Sequence, residues 1–259
     1  MFRNQDKFHK RRKFDNLIFG RQPVLELLNS EKSVDKILLQ NNTDGDILSE
    51  IKKIAAQKNI PVKYVPVEKL NTLTGGIHQG IIAFTAEIEF QNIENILPLI
   101  IEQGNVPLFV LLDGITDVRN FGAIARTAYA AGAHAIILAE NDAAPVNAEA
   151  MKTSAGALSK LPVCREKNFN HTLEYLKLNG LQILGADSKA EKMCFEIDFT
   201  LPVVIILGSE DIGISPSVKK YIATTIKLPM QNNFDSYNVS VAAGMLLYEI
   251  MRQRLIDNL

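Results

Sequence analysis

Apolar and polar positions along the chain keep exchanging one period for another, the alternation of a strand for the three-and-four spacing of a helix. Between Ile18 and Ile88 this exchange predicts a helix over GRQPVLELLNS, with Pro23 in its first turn, and a strand over VDKILLQ. An amphipathic helix follows over DILSEIKKIAAQKN, with Ile47, Leu48, Ile51, Ile54 and Ala55 on its apolar positions. IPVKYV then reads as a strand, VEKLNTL as a short helix and GIIAFTAEI as a last strand. Residues 16–88 are thus expected to form a small α/β unit. From Phe90 to Val106 a weak helical pattern is broken by Pro98 and Gly104, with Pro107 just beyond, and residues 89–105 read as a linker.

Residues 106–259 read as a second unit. It opens on PLFVLLDG, a run too short for a helix and too unbroken for an edge strand, which predicts a strand buried on both faces. The alternation continues through a helix near Asn120–Ala131, strand HAIILA, a helix near Asn147–Ala155 and strand LPVCRE. Then come helix NFNHTLEYLKLNG, strands LQILGAD and PVVIILG, helix ISPSVKKY, strand ATTIKLP, and a long helix from Tyr237 to about Leu255. Such a succession implies a mostly parallel sheet covered by helices on both sides.

Composition supports a folded chain, with 47% apolar and 22% charged residues. No stretch approaches the about 18 consecutive apolar residues of a membrane helix, and MFRNQDKFHKRRKFDN lacks the apolar core of an export signal. Cys164 and Cys194 are isolated thiols, which suits a reducing cytoplasm. The net charge of −1 argues against a polyanionic partner until its distribution is considered. Residues 1–13 hold Arg3, Lys7, Lys10, Arg11, Arg12 and Lys13 against Asp6 alone, a basic arm of +5 on a body of −6. Read as a tail over 1–15, the arm either aids solubility or contacts the phosphates of a nucleic acid without sequence specificity.

GxGxxG, GxxxxGK[ST], HExxH and GxSxG are all absent, and His9, His78, His134 and His171 have no metal-ligand spacing. Dinucleotide, P-loop, zinc and serine-esterase chemistry lose their main support. Three segments stand out instead, each at the carboxyl end of an apolar strand, where open α/β sheets bind ligands. LLDGITDVRNFGAIARTA places Asp113, Asp117, Arg119 and Asn120 in a polar loop that opens a helix, with Asn120 and Arg126 both expected near its amino-terminal end. IILGSEDIGIS brackets Ser209, Glu210 and Asp211 between Gly208 and Gly213. IKLPMQNNFDSYNVSVAAGMLLYE ends a strand at Pro229 and opens the last helix with Ser236 and Asn238. The small residues Ser240, Ala242, Ala243 and Gly244 would let that helix pack closely, inside the unit or on a second copy. Taken singly, each polar residue also reads as a helix cap or surface group.

In order and spacing the three segments resemble the motifs of the SpoU (TrmH) family of RNA ribose 2′-O-methyltransferases, within the SPOUT superfamily. FGRQPVLELL and GGIHQGIIA (Gly75–Ala83) resemble the L30e-like RNA-binding domain of its 23S rRNA guanosine branch. The resemblance implies a knotted parallel α/β domain, threaded as a deep trefoil, behind that small domain. It implies S-adenosylmethionine as cofactor, contacted by Leu207, Gly208, Leu228, Met230 and Tyr237, the last standing where the family usually has Leu. It further implies active-site roles for Asn120, Arg126, Glu210, Ser236 and Asn238, a homodimer, no metal, and RNA held with His78 and Gln79 near its base. Transfer RNA as substrate, a catalytically silent RNA-binding factor and a small-molecule-binding α/β protein are the alternatives. The presence of all five polar motif residues speaks against a silent factor.

Overall fold

The computed structural model describes residues 16–232 and 235–256, so the basic arm lies outside the described residues. The chain divides into two units, Met1–Thr85 and Ala86–Leu259. In the first, β1 (Leu17–Phe19), α1 (Arg21–Asn29), β2 (Val34–Gln40), α2 (Asp46–Gln57), β3 (Val62–Val65), α3 (Val67–Leu73) and β4 (Ile81–Thr85) follow one another. The sheet order is β1-β4-β2-β3; β4 runs antiparallel to both β1 and β2, and β2 is parallel to β3. Strand alternation divides the core. Ile37, Leu39, Ile81 and Ala83 face α1 and α2 through Val24, Leu28, Leu48 and Ile51, while Leu38, Ile82 and Phe84 meet Leu70 of α3.

The second unit begins with a helix where the sequence reads as a linker. α4 (Ile93–Glu102) is capped by Asn92, whose side chain accepts from the Glu94 amide at 2.8 Å. Ile93, Leu97 and Ile100 are buried, so residues 89–105 are not a free linker over α4. Pro98, read as an interruption, sits mid-helix, and α4 continues through it to Glu102 because its apolar stripe is buried against the sheet.

β5 (Leu108–Asp113), α5 (Val118–Ala130), β6 (Ala135–Ala139), α6 (Ala148–Thr153), β7 (Val163–Glu166), α7 (Phe169–Leu178) and β8 (Gln182–Ala186) come next. β9 (Lys192–Met193), β10 (Val203–Gly208), α8 (Pro216–Lys219), β11 (Thr224–Lys227) and α9 (Val239–Ile256) complete the unit. The seven strands lie in the order β7-β6-β5-β10-β8-β11-β9 and every pair is parallel. On one face Val110, Leu112, Ile136, Leu138, Ile205 and Leu207 pack against Phe121 and Ile124 of α5 and Ala243 and Leu247 of α9. On the other, Phe109, Leu111, Ile137, Val204 and Ile206 pack against α4, α7 and α8. The chain leaves β5 towards β7 in one direction, then crosses to lay down β8 and β9 on the other side, and β10 is inserted afterwards between β5 and β8. That reversal opens a crevice at the carboxyl ends of β5, β10 and β8.

The small residues of α9 are used inside the unit: Ala243 is buried, and a Cβ at Gly244 would come within 3.7 Å of Thr127 on α5. The far end of α9 is fastened by Arg254, whose guanidinium donates to the carbonyls of Phe199, Val106, Pro107 and Leu201 at 2.8–3.1 Å. Among the described residues, no helix is long and apolar enough to cross a membrane.

Candidate active site

Asp117, not Asn120, caps α5: its carboxylate accepts from the amides of Arg119 at 3.0 Å and Asn120 at 2.8 Å. The helix therefore starts at Val118, and the Asn120 side chain is left for other partners. Its Nδ2 donates to Glu210 Oε1 at 3.2 Å. Asn238 then closes a three-membered cluster, its Nδ2 donating to Asn120 Oδ1 at 3.1 Å and to Glu210 Oε1 at 2.8 Å. The Asn238 Oδ1 meanwhile caps α9, accepting from the Ser240 amide at 3.0 Å and the Ser240 hydroxyl at 2.6 Å. One residue of each motif thus meets the other two at one point, although Asn120 and Asn238 are 118 positions apart in the chain.

Glu210 sits on a tight loop after β10, closed by mutual backbone hydrogen bonds between Ser209 and Gly213 at 3.2 and 2.9 Å. The Ser209 hydroxyl accepts from the Ile212 amide at 3.2 Å, and Asp113, at the end of β5, accepts from the Ser215 amide at 2.6 Å. A Cβ at Gly208 would run into the backbone of Gly213 and Ile214, so only glycine lets the loop fold back over the strand end.

Behind this loop lies a cavity of about 750 Å³, within the range of ligand-sized pockets. Leu207, Gly208, Leu228, Met230 and Tyr237 all line it, as do Glu210 and Ser236. The Tyr237 hydroxyl donates to the Pro229 carbonyl at 3.1 Å and ties the two ends of the loop between β11 and α9, a bond leucine could not make. Asn120 and Asn238 join the cavity's edge through Glu210. Arg126 does not. It is the ninth residue of α5, beyond the helix midpoint rather than near its start, about 9 Å further along and about 120° round the axis from Asn120. Its side chain is exposed and has no hydrogen bond or ion pair among the described residues.

One wall escaped the sequence reading. Asp187, Ser188 and Lys189, after β8, line the cavity together with Lys219, whose Nζ is 3.9 Å from Asp187. LQILGADSK ends at the same edge of the sheet as the three motifs, so its position was a usable signal. Carboxylates and ammonium groups both line the cavity, Asp187, Glu210, Asp211 and Asp235 beside Lys189, Lys219 and Lys227. A ligand that carries both signs of charge and a net positive one is matched by such a wall. Among the described residues, no group of three or more His, Cys, Asp and Glu side chains is placed to hold a metal ion. In the first unit, His78 is buried and Gln79 exposed on the rim of a second hollow.

Residues 107–248 match the SpoU rRNA Methylase family, and residues 17–91 match the RNA 2′-O ribose methyltransferase substrate-binding family. The chain is 34% identical over 237 residues to YacO of Bacillus subtilis (strain 168), which is assigned to the TrmH family of tRNA/rRNA methyltransferases. That match covers 92% of this chain and 95% of YacO. The SpoU methyltransferase AviRb from Streptomyces viridochromogenes, solved in complex with AdoMet, shares the fold at a TM-score of 0.59 and 23% identity, over 93% of this chain and 90% of AviRb. The A. aeolicus TrmH/SpoU tRNA modifying enzyme aligns at a TM-score of 0.54 and 31% identity, over 58% of this chain and 77% of that one. With the methylase match spanning more than half its length and a full-length relative above 30% identity, the chain belongs to the SpoU family of RNA methylases.

Proposed function

We propose that this SpoU-family protein transfers the methyl group of S-adenosylmethionine to a ribose 2′-hydroxyl of structured RNA, a guanosine of 23S ribosomal RNA. The observation that carries the reading is the hydrogen-bonded meeting of Asn120, Glu210 and Asn238 at the edge of a ligand-sized cavity. The cavity fits the cofactor in size and in its mixed, net acidic lining around apolar Leu207, Leu228, Val239 and Leu246. When bound, S-adenosylmethionine supplies a methyl group made electrophilic by its sulfonium. The protein's part is alignment of the ribose hydroxyl and management of its proton. Arg126, exposed and unpaired among the described residues but off the edge of this chain's own cavity, anchors a phosphate of the substrate. Asn120 and Asn238 orient the reacting groups, Ser236 contributes a hydroxyl from the cavity wall, and Glu210 holds the two amides in register.

The knot belongs to the same reading. The cavity is walled by residues 186–189, 207–214, 226–228, 230, 235–237 and 239, the segments that the knot would bring together. The protein acts as a homodimer in the cytoplasm, where its two buried thiols stay reduced. Mapping 2′-O-methyl sites on ribosomal and transfer RNA from a deletion strain tests the target. Loss of one 23S guanosine methyl group is the expected result, and loss of a transfer-RNA methyl group instead would replace it. Isothermal titration tests the cofactor: S-adenosylmethionine and S-adenosylhomocysteine should each bind one site per chain, and no binding of either would sink the catalytic reading.

A further inference from the structure

In the first unit, the connection between β2 and α2 separates two hollows. Thr43 lines both, so residues 41–44 form their shared wall. The wall is fixed by the Thr43 hydroxyl, which donates to the Gln40 carbonyl at 2.7 Å, and by the Asn41 amide, which donates to Val65 at 3.0 Å.

The larger hollow, about 740 Å³, has no acidic side chain in its lining. Ile77 lines it and is 85% exposed. Gln22, Gln40, Asn71 and Arg21 line it as well. Below, His78 Nδ1 accepts from the Gly80 amide at 3.0 Å, so its proton is on Nε2, which donates to Asn71 Oδ1 at 2.9 Å. That leaves the Asn71 amino group without a hydrogen bond among the described residues. Gln79, held at φ 51°, accepts through its carbonyl from Arg21 Nε at 3.2 Å and through Oε1 from the Arg21 amide at 3.0 Å. Arg21 is thereby braced with its outer nitrogens towards the wall; a Cβ at Gly45 would come within 3.0 Å of Nη1. The smaller hollow, about 510 Å³, presents a different pair. Tyr64 is 55% exposed; Lys52 Nζ lies over its ring, 5.7 Å from the centroid, and is paired with the Asp44 carboxylate of the same hollow at 3.7 Å.

An apolar side chain and several amide side chains lining one hollow suit a base lifted out of its stack and read on its edge. An exposed aromatic ring suits a second base stacked on it. Paired RNA cannot fill either hollow, because its bases are stacked and their edges lie in grooves. We propose that the first unit captures two unpaired nucleotides of the substrate RNA, one on each side of the 41–44 wall, the first over Ile77 and the second on Tyr64. This rests on the reading of the chain as an RNA methyltransferase, and it specifies what that enzyme recognises: a loop or bulge rather than a duplex.

Fluorescence anisotropy of the full chain tests it with two labelled RNAs, a hairpin with an unpaired loop and a blunt duplex of the same stem, at one salt concentration. The hairpin should bind more tightly. Tyr64→Ala and Ile77→Ser should each weaken hairpin binding by about tenfold and leave duplex binding unchanged. Both positions are exposed, so titration with S-adenosylmethionine and far-ultraviolet circular dichroism should stay at wild-type values. Equal binding of the two RNAs, equal losses on both, or unchanged hairpin binding in the variants would overturn the proposal. If the wild type still transfers methyl groups to RNA in that case, the catalytic reading survives it. If the wild type transfers none, both fall together.

Discussion

Asn238 does two jobs with one side chain, and they separate by substitution. Its Oδ1 caps α9 and its Nδ2 holds Asn120 and Glu210. Asn238→Asp keeps an N-cap acceptor but replaces the donor with a carboxylate oxygen facing Glu210. It should leave the melting temperature near wild type while turnover collapses. Asn238→Ala loses both functions and should in addition cost about 1 kcal/mol of stability in denaturant titration. If Asn238→Asp methylates RNA normally, the cluster is only a cap. Arg126 poses the opposite case, a side chain with no structural partner among the described residues. Arg126→Ala should abolish most methyl transfer at saturating S-adenosylmethionine while cofactor affinity stays unchanged. Arg126→Lys should rescue little, since a point charge cannot reproduce a planar, two-pronged grip on phosphate oxygens. A merely structural surface arginine would cost about 0.5 kcal/mol or less of stability and leave turnover intact in a single-turnover assay.

At the scale of elements, period and turn residues carried six of the seven strands of the large sheet, all but the two-residue β9, and nearly all its helices, because a parallel sheet buried on both faces demands unbroken apolar runs such as PLFVLLDG and PVVIILG. α4 escaped since its helical pattern, broken by Pro98, is completed only by burial against β-strands that lie later in the chain. The antiparallel pairing of β4 with β1 and β2 escaped as well, being set by tertiary contacts rather than by local periodicity. In the site, the cap residues were legible as a class, but which of Asp117 and Asn120 caps α5 depends on Glu210, 90 residues away. The edge of the sheet remote from the site yields a pH prediction. His134 precedes β6, and its Nδ1 accepts from the amide of Leu108 at the start of β5 at 3.1 Å. Burial, followed by the nearby Arg254 guanidinium, holds its pKa below the ordinary histidine value. The folded state therefore favours the neutral ring. Its contribution to stability is full above the ordinary value of about 6.5 and is lost as pH falls through the depressed folded value. His134→Gln should flatten the fall in melting temperature on acidification across that window. An unchanged pH slope would exclude this ring as the cause.

For the whole molecule, the deciding feature is the outward face of α9. Ala243, Leu246, Leu247 and Ile250 are buried within the unit, and the opposite side shows Val241, Met245, Tyr248 and Leu255, between 37% and 61% exposed. Their spacing of four, three and seven residues makes one stripe along the helix. An apolar stripe on a helix that already packs on its other side is the kind of surface that pairs with a second copy through a two-fold contact. Arg252 stands in the same stripe, its guanidinium held by Glu249 at 2.7 and 2.8 Å, which keeps a charged group ordered at that surface. The full chain should therefore sediment as a dimer at micromolar concentration. Tyr248→Glu sets a carboxylate on the stripe without touching the buried side of α9, so it should shift the equilibrium towards monomer while S-adenosylmethionine still binds. Methyl transfer should fall with dimer concentration and not with cofactor occupancy. A wild-type chain that sediments as a monomer across the same range, or a Tyr248→Glu variant as dimeric as the wild type, would remove this face from the assembly.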